Sequence, residues 1–216
     1  MRWDLILFDL DGTLTESGPG IMKSAQYALR AYGMERPWQE LAYFVGPPLS
    51  ETFADFVPPE EIGAIVEKFR EYYRVEGWLD NKPYAGVPEM LARLKEAGCR
   101  LYVATSKLES LAVQLMEHFG LADYFDEICG APENDPEGSK KVNVVKAALK
   151  KAGCADPKRA VIIGDRKFDI LGGHQAGLAA VGVLYGYGSR EELEEAGAEA
   201  IAATPEEVTN LILSSN

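Results

Sequence analysis

The sequence predicts an α/β fold in which a parallel sheet, covered by helices on both faces, is interrupted by an all-helical insertion. Leu5 to Phe8 form a short apolar run that stops at a carboxylate, which is typical of a strand buried on both faces. From about residue 83 onward strand and helix patterns alternate, as in parallel sheets. Between residues 20 and 78 the apolar residues follow helical spacing and show no strand pattern.

The insertion follows the first strand directly. A linker over 15–20 precedes an amphipathic helix over 21–32, which Gly33 ends. Further helices are expected over 38–44 and 49–56. Another is expected to start at Pro58-Pro59-Glu60-Glu61 and to end near Gly77. Residues 16–82 are therefore predicted to form a small cap domain, hinged at both ends on a core made of residues 1–15 and 83–216.

The core is predicted from apolar runs that glycines separate. Buried strands read as continuous apolar stretches, whereas the helices show one apolar face and end at Gly. Strands are expected over 5–8, 100–105, 125–129, 160–163 and 178–184, and helices over 87–97, 108–119, 142–152, 169–176, 193–196 and 205–213.

Composition limits the classes of function. The 216 residues are 47% hydrophobic and 26% charged, which is ordinary for a globular protein. A net charge of −12 argues against nucleic acid and anionic membrane as partners. Three widely spaced cysteines predict free thiols, and two histidines argue against a His-based zinc site. With no signal-peptide or membrane-spanning pattern, we expect a cytoplasmic protein. Its oligomeric state is expected to be monomer or homodimer.

Two carboxylates lie where the first strand ends. Asp9 and Asp11 are two residues apart, so an extended backbone directs them to the same side. In parallel α/β sheets, ligands bind beyond the carboxyl ends of the strands. An ordinary Asp-Gly turn is the alternative interpretation of this motif alone.

The ends of later strands add polar residues that would meet at the same edge. Thr105, Ser106 and Lys107 follow the second strand, and Asp165 follows the fourth with Asp169 one helical turn later. The adjacent Lys140 and Lys141 precede a helix. Individually, Thr105 has the alternative of merely ending a strand, Asp165 of capping a helix and Lys107 of being a solvated surface lysine.

Taken together, these motifs resemble those of the haloacid dehalogenase-like hydrolases. Asp-Leu-Asp-Gly-Thr-Leu, Ala-Thr-Ser-Lys, a lysine and Gly-Asp-Arg-Lys-Phe-Asp occur in the family's order and rough spacing. The stretches Asn-Lys-Pro-Tyr-Ala-Gly (81–86) and Gly-Val-Leu-Tyr-Gly-Tyr-Gly-Ser (182–189) are similar to the phosphoglycolate phosphatase-like branch. The resemblance implies a Rossmann-like core with a helical cap of the superfamily's first type.

The resemblance also implies roles for individual residues. Asp9 would attack phosphorus to form an aspartyl-phosphate, and Asp11 would serve as general acid and then general base. Thr105 would hydrogen-bond a phosphoryl oxygen, and a lysine would neutralise charge on the nucleophile and the phosphoryl group. The pattern Lys-x-x-Val-Val that begins at Lys141 favours Lys141 over Lys140. Ser106 and Lys107 are further candidates for binding the substrate.

The acidic cluster calls for a cation. Two carboxylates about 4 Å apart repel by about 4 kcal/mol at an effective dielectric constant near 20. Mg²⁺ suits such a site because it prefers one or two carboxylates with phosphate and water. The resemblance implies Asp9, the backbone carbonyl of Asp11 and Asp165 as its ligands, with Asp169 orienting Lys141 or a metal-bound water.

The function predicted is therefore Mg²⁺-dependent hydrolysis of a small phosphorylated metabolite, with phosphoglycolate and nucleoside 5′-monophosphates as candidates. A phosphomutase of the same superfamily and a catalytically silent phosphate-binding protein are the alternatives. Asp11 argues against a dehalogenase, because that branch lacks this residue. In the cap, the loop Val45-Gly46-Pro47-Pro48 is expected to contact the leaving group, with Gly46 permitting close approach.

Overall fold

A six-stranded, fully parallel sheet forms the centre of the protein, and its strand order is 3-2-1-4-5-6. The computed structural model describes residues 3–133, 135 and 137–214. Within these residues the strands are β1 Leu5–Phe8, β2 Arg100–Leu108, β3 Glu127–Ala131, β4 Ala160–Gly164, β5 Ala179–Val183 and β6 Ala200–Ala202.

Helices cover both faces of the sheet and make up most of the insertion. In the insertion lie α1 Gly18–Ala31, α2 Leu49–Phe53 and α3 Ile62–Val75. Around the sheet lie α4 Val87–Glu96, α5 Glu109–His118, α6 Lys141–Lys151, α7 Lys167–Gln175, α8 Arg190–Glu195 and α9 Pro205–Ser214. The α/β class and the parallel sheet predicted from the sequence are confirmed.

β1 is the central strand, as its continuous apolar sequence predicts. It pairs with β2 on one side and β4 on the other, so all four of its residues are buried. Ile6 and Phe8 pack into the apolar cluster on one face of the sheet, whereas Leu5 and Leu7 pack into the cluster on the other. The strand order reverses direction at β1, which places the ligand crevice beyond its carboxyl end.

The insertion has an apolar cluster of its own, which includes Phe44, Phe53, Ile65 and Phe69. Its two connections to the sheet run side by side. Thr15 and Pro83 form an antiparallel bridge, and the Glu16 amide donates to the Lys82 carbonyl over 2.8 Å. The domain boundaries at 15/16 and 82/83 stay a prediction that these contacts support.

The bounds of several elements differ from the sequence prediction. Residues 38–44 form two short 3₁₀ turns, Trp38–Glu40 and Ala42–Phe44, where one helix was expected. The linker is shorter, because α1 begins at Gly18 with Pro19 in its first turn. The prediction missed β6, a strand of only three residues. β2 continues to Leu108, although its pairing with β3 breaks after Ala104 and resumes at Leu108.

Candidate active site

Asp9 follows the last residue of β1 and is almost fully buried. Its amide donates to the Ile163 carbonyl of β4 over 2.9 Å, which fixes the backbone at the sheet edge. One carboxylate oxygen, Oδ1, accepts a hydrogen bond from Lys141 Nζ at 2.5 Å. Asp9 is therefore held at the carboxyl end of the central strand by a buried ion pair.

Lys141 begins α6 and reaches the site from there. Its ammonium group contacts three acceptors: Asp9 Oδ1, Asp169 Oδ1 at 2.8 Å and the Ala104 carbonyl at 3.0 Å. Burial opposes its protonation, yet Asp169 and Asp9 raise the pKa of Lys141 above its ordinary value. The neighbouring Lys140 pairs with the exposed Glu137. Of the two lysines, the structure thus brings Lys141 to the site.

Asp165 and Asp169 complete the acidic cluster. One oxygen each of Asp9, Asp165 and Asp169 lie within 4.8 Å of one another, and all three residues are buried. The Tyr187 amide donates to Asp165 Oδ2 at 2.7 Å, and the Arg166 amide donates to Asp169 Oδ2 at 3.1 Å. A backbone donor in the loop after β5 and another just before α7 therefore orient these carboxylates.

Burial dominates the electrostatics of this cluster. It raises the pKa of Asp9 to about 7, with Lys141 opposing the shift and Asp169 adding to it. Burial, and then repulsion from Asp169 and Asp9, also raise the pKa of Asp165 well above its ordinary value. Such shifts arise where a site gathers more negative charge than its protein neighbours neutralise.

Asp11 points to a different partner from the other carboxylates. Its Oδ2 pairs with Lys107 Nζ at 2.7 Å, and both side chains are largely buried. Lys107 in turn lies 4.8 Å from the centre of the Tyr73 ring, which belongs to α3 of the insertion. The surface alternative for Lys107 is therefore wrong, because it bridges the sheet edge and the insertion.

A cavity of about 660 Å³ lies between the sheet edge and the insertion. Asp9, Asp11, Thr105, Ser106 and Lys107 line it from the sheet. The insertion contributes a mainly apolar wall: Ile21, Phe44, Gly46, Pro47, Pro48, Leu49, Ile62, Val66, Phe69 and Tyr73. The residues predicted to bind substrate thus share one cavity with the predicted nucleophile.

Thr105 and Ser106 lie in the interrupted part of β2. Thr105 is buried, and its Oγ1 accepts a hydrogen bond from the Lys107 amide at 3.2 Å. Because pairing with β3 stops between Ala104 and Leu108, this segment does not continue the regular ladder. Irregular pairing of this kind re-aims side chains beside active sites.

Three residues of the site escaped the sequence prediction. Tyr187 holds Asp165 through its amide and accepts a hydrogen bond from the Gly18 amide at 2.7 Å. Arg166 contacts the insertion, and Arg70 of α3 lines the cavity while pairing with Glu67. The glycines on either side of Tyr187 were the sequence signal for the close approach of this loop to Asp165. At Gly186, a Cβ would lie 2.5 Å from Asp165 Oδ2.

The structure is an α/β protein with an acidic cluster beyond the carboxyl edge of a parallel sheet, and comparison with known proteins identifies the family. The sequence profile described as "Haloacid dehalogenase-like hydrolase" matches residues 6–183. The chain belongs to the haloacid dehalogenase-like hydrolase family. Within it, the chain is a phosphoric monoester hydrolase of the phosphoglycolate phosphatase-like branch.

Similar proteins carry several names. A 5′-nucleotidase from Pseudomonas aeruginosa is 39% identical over 196 residues, covering 89% of this chain and 88% of that protein. Tyrosine-protein kinase PtkA from Mycobacterium tuberculosis is 38% identical over 207 residues, which cover 94% and 70%. A phosphoglycolate phosphatase from Agrobacterium fabrum is 34% identical over 194 residues, covering 85% and 81%.

Among solved structures, a predicted phosphatase from Clostridium acetobutylicum superposes with a TM-score of 0.95 at 37% identity. The match covers 99% of this chain and all of that one, so it includes the insertion as well as the sheet. None of the described helices combines the length and hydrophobicity that crossing a membrane requires.

Proposed function

We propose that this protein is a Mg²⁺-dependent phosphatase that hydrolyses a small phosphomonoester through an aspartyl-phosphate on Asp9. The observation that carries the proposal is the bridge of Lys141 between Asp9, which lines the cavity, and Asp169. A buried cation held against the nucleophile suits a reaction that brings further negative charge to this position.

The donor set fits a hard divalent cation. Three buried carboxylates supply oxygens within 4.8 Å of one another. Burial, and then repulsion from Asp169 and Asp9, raise the pKa of Asp165, so a bound cation would stabilise its charged form. Asp9, Asp165 and the Asp11 carbonyl would hold Mg²⁺, while Asp169 would orient Lys141. When bound, the ion neutralises carboxylate charge and polarises the phosphoryl oxygens.

The first chemical step belongs to Asp9 and Asp11. Because Lys141 Nζ donates to Asp9 Oδ1, the other carboxylate oxygen, Oδ2, would attack phosphorus. As the new O–P bond forms, the ester P–O bond breaks and its electron pair stays on the leaving oxygen. Asp11, which has to enter this step protonated, gives that oxygen its proton and becomes a carboxylate, so the alcohol departs neutral.

The second step returns the enzyme to its starting state. Asp11 takes a proton from water, whose oxygen attacks the phosphorus of the acyl phosphate. The bond to Asp9 breaks and inorganic phosphate leaves. Asp11 and Lys107 are paired at 2.7 Å, so for these two steps Asp11 has to leave Lys107 and contact the substrate oxygen instead. Thr105 would donate its hydroxyl proton to a phosphoryl oxygen.

The cavity favours nucleoside 5′-monophosphates over phosphoglycolate. Its volume of about 660 Å³ is within the range of pockets that enclose drug-sized ligands. Phe44, Phe69 and Tyr73 offer aromatic surface to a nucleobase, whereas glycolate has no comparable apolar surface to bury. The name of the Pseudomonas aeruginosa relative, a 5′-nucleotidase, supports the same choice.

The test is a panel assay of phosphate release with Mg²⁺ and with excess chelator. The panel contains nucleoside 5′-monophosphates, phosphoglycolate, a hexose phosphate and p-nitrophenyl phosphate, and the size-matched Asp9→Asn variant serves as blank. We expect Mg²⁺-dependent release, highest from the nucleotides. Full turnover in chelator refutes the mechanism, preference for phosphoglycolate refutes the substrate class, and transfer of phosphate to a second substrate identifies a mutase.

A further inference from the structure

Arg166 connects the acidic cluster to the insertion. It follows Asp165 directly at the end of β4, and its amide donates to Asp169 Oδ2 at 3.1 Å. Its backbone is therefore fixed by the same carboxylates that surround the nucleophile. The side chain leads away from the cluster, towards the insertion, and nothing in the proposed reaction uses it.

Two acceptors hold the guanidinium group. Arg166 Nε donates to Glu192 Oε1 at 2.9 Å, and the two side chains are only 13% and 22% exposed. Glu192 is itself fixed, since the same oxygen accepts from the Lys167 amide at 2.9 Å. Arg166 Nη1 donates to the Val45 carbonyl of the insertion at 2.5 Å. Charge-assisted hydrogen bonds of this kind are the strong ones, and partial burial limits their screening.

The same arginine also limits the space around the residue after Val45. Gly46 adopts φ = +109°, and a Cβ there would lie 3.0 Å from Arg166 Cγ. The loop of residues 45–48 thus packs against the arginine stem as well as accepting its hydrogen bond. Gly46, Pro47 and Pro48 also line the cavity that contains Asp9.

We infer that Arg166, oriented by Glu192, is a positioning residue that fixes the 45–48 loop against the bound leaving group. The inference rests on the proposed function for the reaction that it assists. Arg166 touches neither the reacting atoms nor the cavity, so it acts through the loop. Its loss should therefore weaken productive binding of metabolites whose leaving group reaches the loop.

The kinetic test compares Arg166→Met, Arg166→Lys and Glu192→Gln with a matched control, Arg190→Met. Arg190 pairs with Glu194 on the same helix as Glu192, in an exposed ion pair that does not reach the insertion. For the best metabolite of the panel, we expect Arg166→Met to raise KM by about 10- to 100-fold, the factor set by a charge-assisted hydrogen bond. Arg166→Lys should raise KM less, because it keeps the positive charge. It should not restore the parent KM, because lysine cannot reproduce the two-point contact.

Two further readouts separate positioning from a general structural role. The ratio of kcat/KM for the metabolite to that for p-nitrophenyl phosphate should fall in Arg166→Met and Glu192→Gln and stay constant in Arg190→Met. Mg²⁺ affinity should not change. A uniform loss on all substrates together with weaker Mg²⁺ binding overturns the inference, as does an unchanged KM.

Hydrogen exchange tests the contact independently of any substrate. Amides of residues 42–46 and 49–53 should exchange faster in Arg166→Met and Glu192→Gln than in the parent or in Arg190→Met. Unchanged exchange there overturns the inference. If no phosphomonoester is hydrolysed but exchange accelerates as expected, the proposed function fails and the positioning contact stands.

Discussion

Lys141 Nζ lies 2.5 Å from Asp9 Oδ1, and the two side chains are 6% and 7% exposed. Removing one partner of such a buried pair leaves the other charge without compensation. The same ammonium group also contacts Asp169, so a single lysine restrains two of the three carboxylates in the cluster. We therefore expect substitutions of the adjacent Lys140 and Lys141 to have very different effects on turnover.

Lys141→Met should abolish turnover, whereas Lys140→Met should leave kcat and KM within about twofold of the parent. The physical reason is that Lys140 pairs with an exposed glutamate, a contact that contributes little. Single-turnover kinetics on both variants checks this. Circular dichroism confirms that Lys141→Met is folded, and Lys141→Arg provides a second, charge-preserving variant. Comparable losses at both positions would contradict the assignment.

Asp9→Asn should lower kcat by at least several orders of magnitude, because it deletes the nucleophile and keeps the side-chain size. Asp11→Asn should slow both half-reactions and let phosphoenzyme accumulate. Rapid quench followed by intact mass spectrometry detects the added phosphate on the protein. Near-normal kcat for Asp9→Asn would show that the mechanism is wrong.

Gly46→Val should change relative kcat/KM among metabolites while sparing p-nitrophenyl phosphate. A side chain at φ = +109° is strained, and its Cβ would crowd Arg166 Cγ at 3.0 Å. The loop would therefore shift at the cavity wall without disturbing Asp9. Both activities are measured in the same preparation. Equal loss on every substrate would remove this loop from the specificity assignment.

Without metal, stability should fall as pH rises from 5 to 8. The pKa of Asp9 is raised to about 7 and that of Asp165 well above 3.8, so within this range the folded state binds more protons than the unfolded state. The stabilisation is present at low pH and is lost as pH rises through the folded-state pKa values. Thermal unfolding in chelator measures it as a falling Tm.

Mg²⁺ should raise Tm more at pH 8 than at pH 5, because it binds the deprotonated carboxylates. Asp165→Asn is the control: it keeps the overall shape and removes one shifted group, so its Tm in chelator should depend less on pH. This separates the cluster from the general repulsion of a chain with net charge −12. A parent Tm that rises with pH would contradict the expectation.

The sequence predicted the sheet edge well because its signals are local. Apolar runs that stop at Asp9 and Asp165 mark strand ends, and the run that stops at Thr105 marks the point where β2 loses its regular pairing with β3. Parallel topology brings these points together at one edge of the sheet. Lys141 was favoured over Lys140 because Lys-x-x-Val-Val resembles the family's lysine before an apolar helix, and α6 starts at Lys141.

What the sequence did not predict depends on contacts between distant residues. Arg166 and Val45 are far apart in the chain, and no periodicity links them. The pairing of Lys107 with Asp11 requires β1 and β2 to be neighbours, which becomes known only with the strand order. β6 spans three residues, too few for a strand pattern to emerge.

The central position of β1 has a consequence for biosynthesis. Leu5 is synthesised before both of its sheet partners, Arg100 and Ala160. At 5–20 residues per second, the ribosome needs on the order of 10 s to make the second partner after β1. During that interval the apolar run Leu5–Phe8 has no complete sheet to pack into. It therefore stays exposed to water, to chaperones and to other nascent chains. The strand that delivers the nucleophile is thus made before the other five described strands, yet it gains its second sheet partner only after β4 has been made.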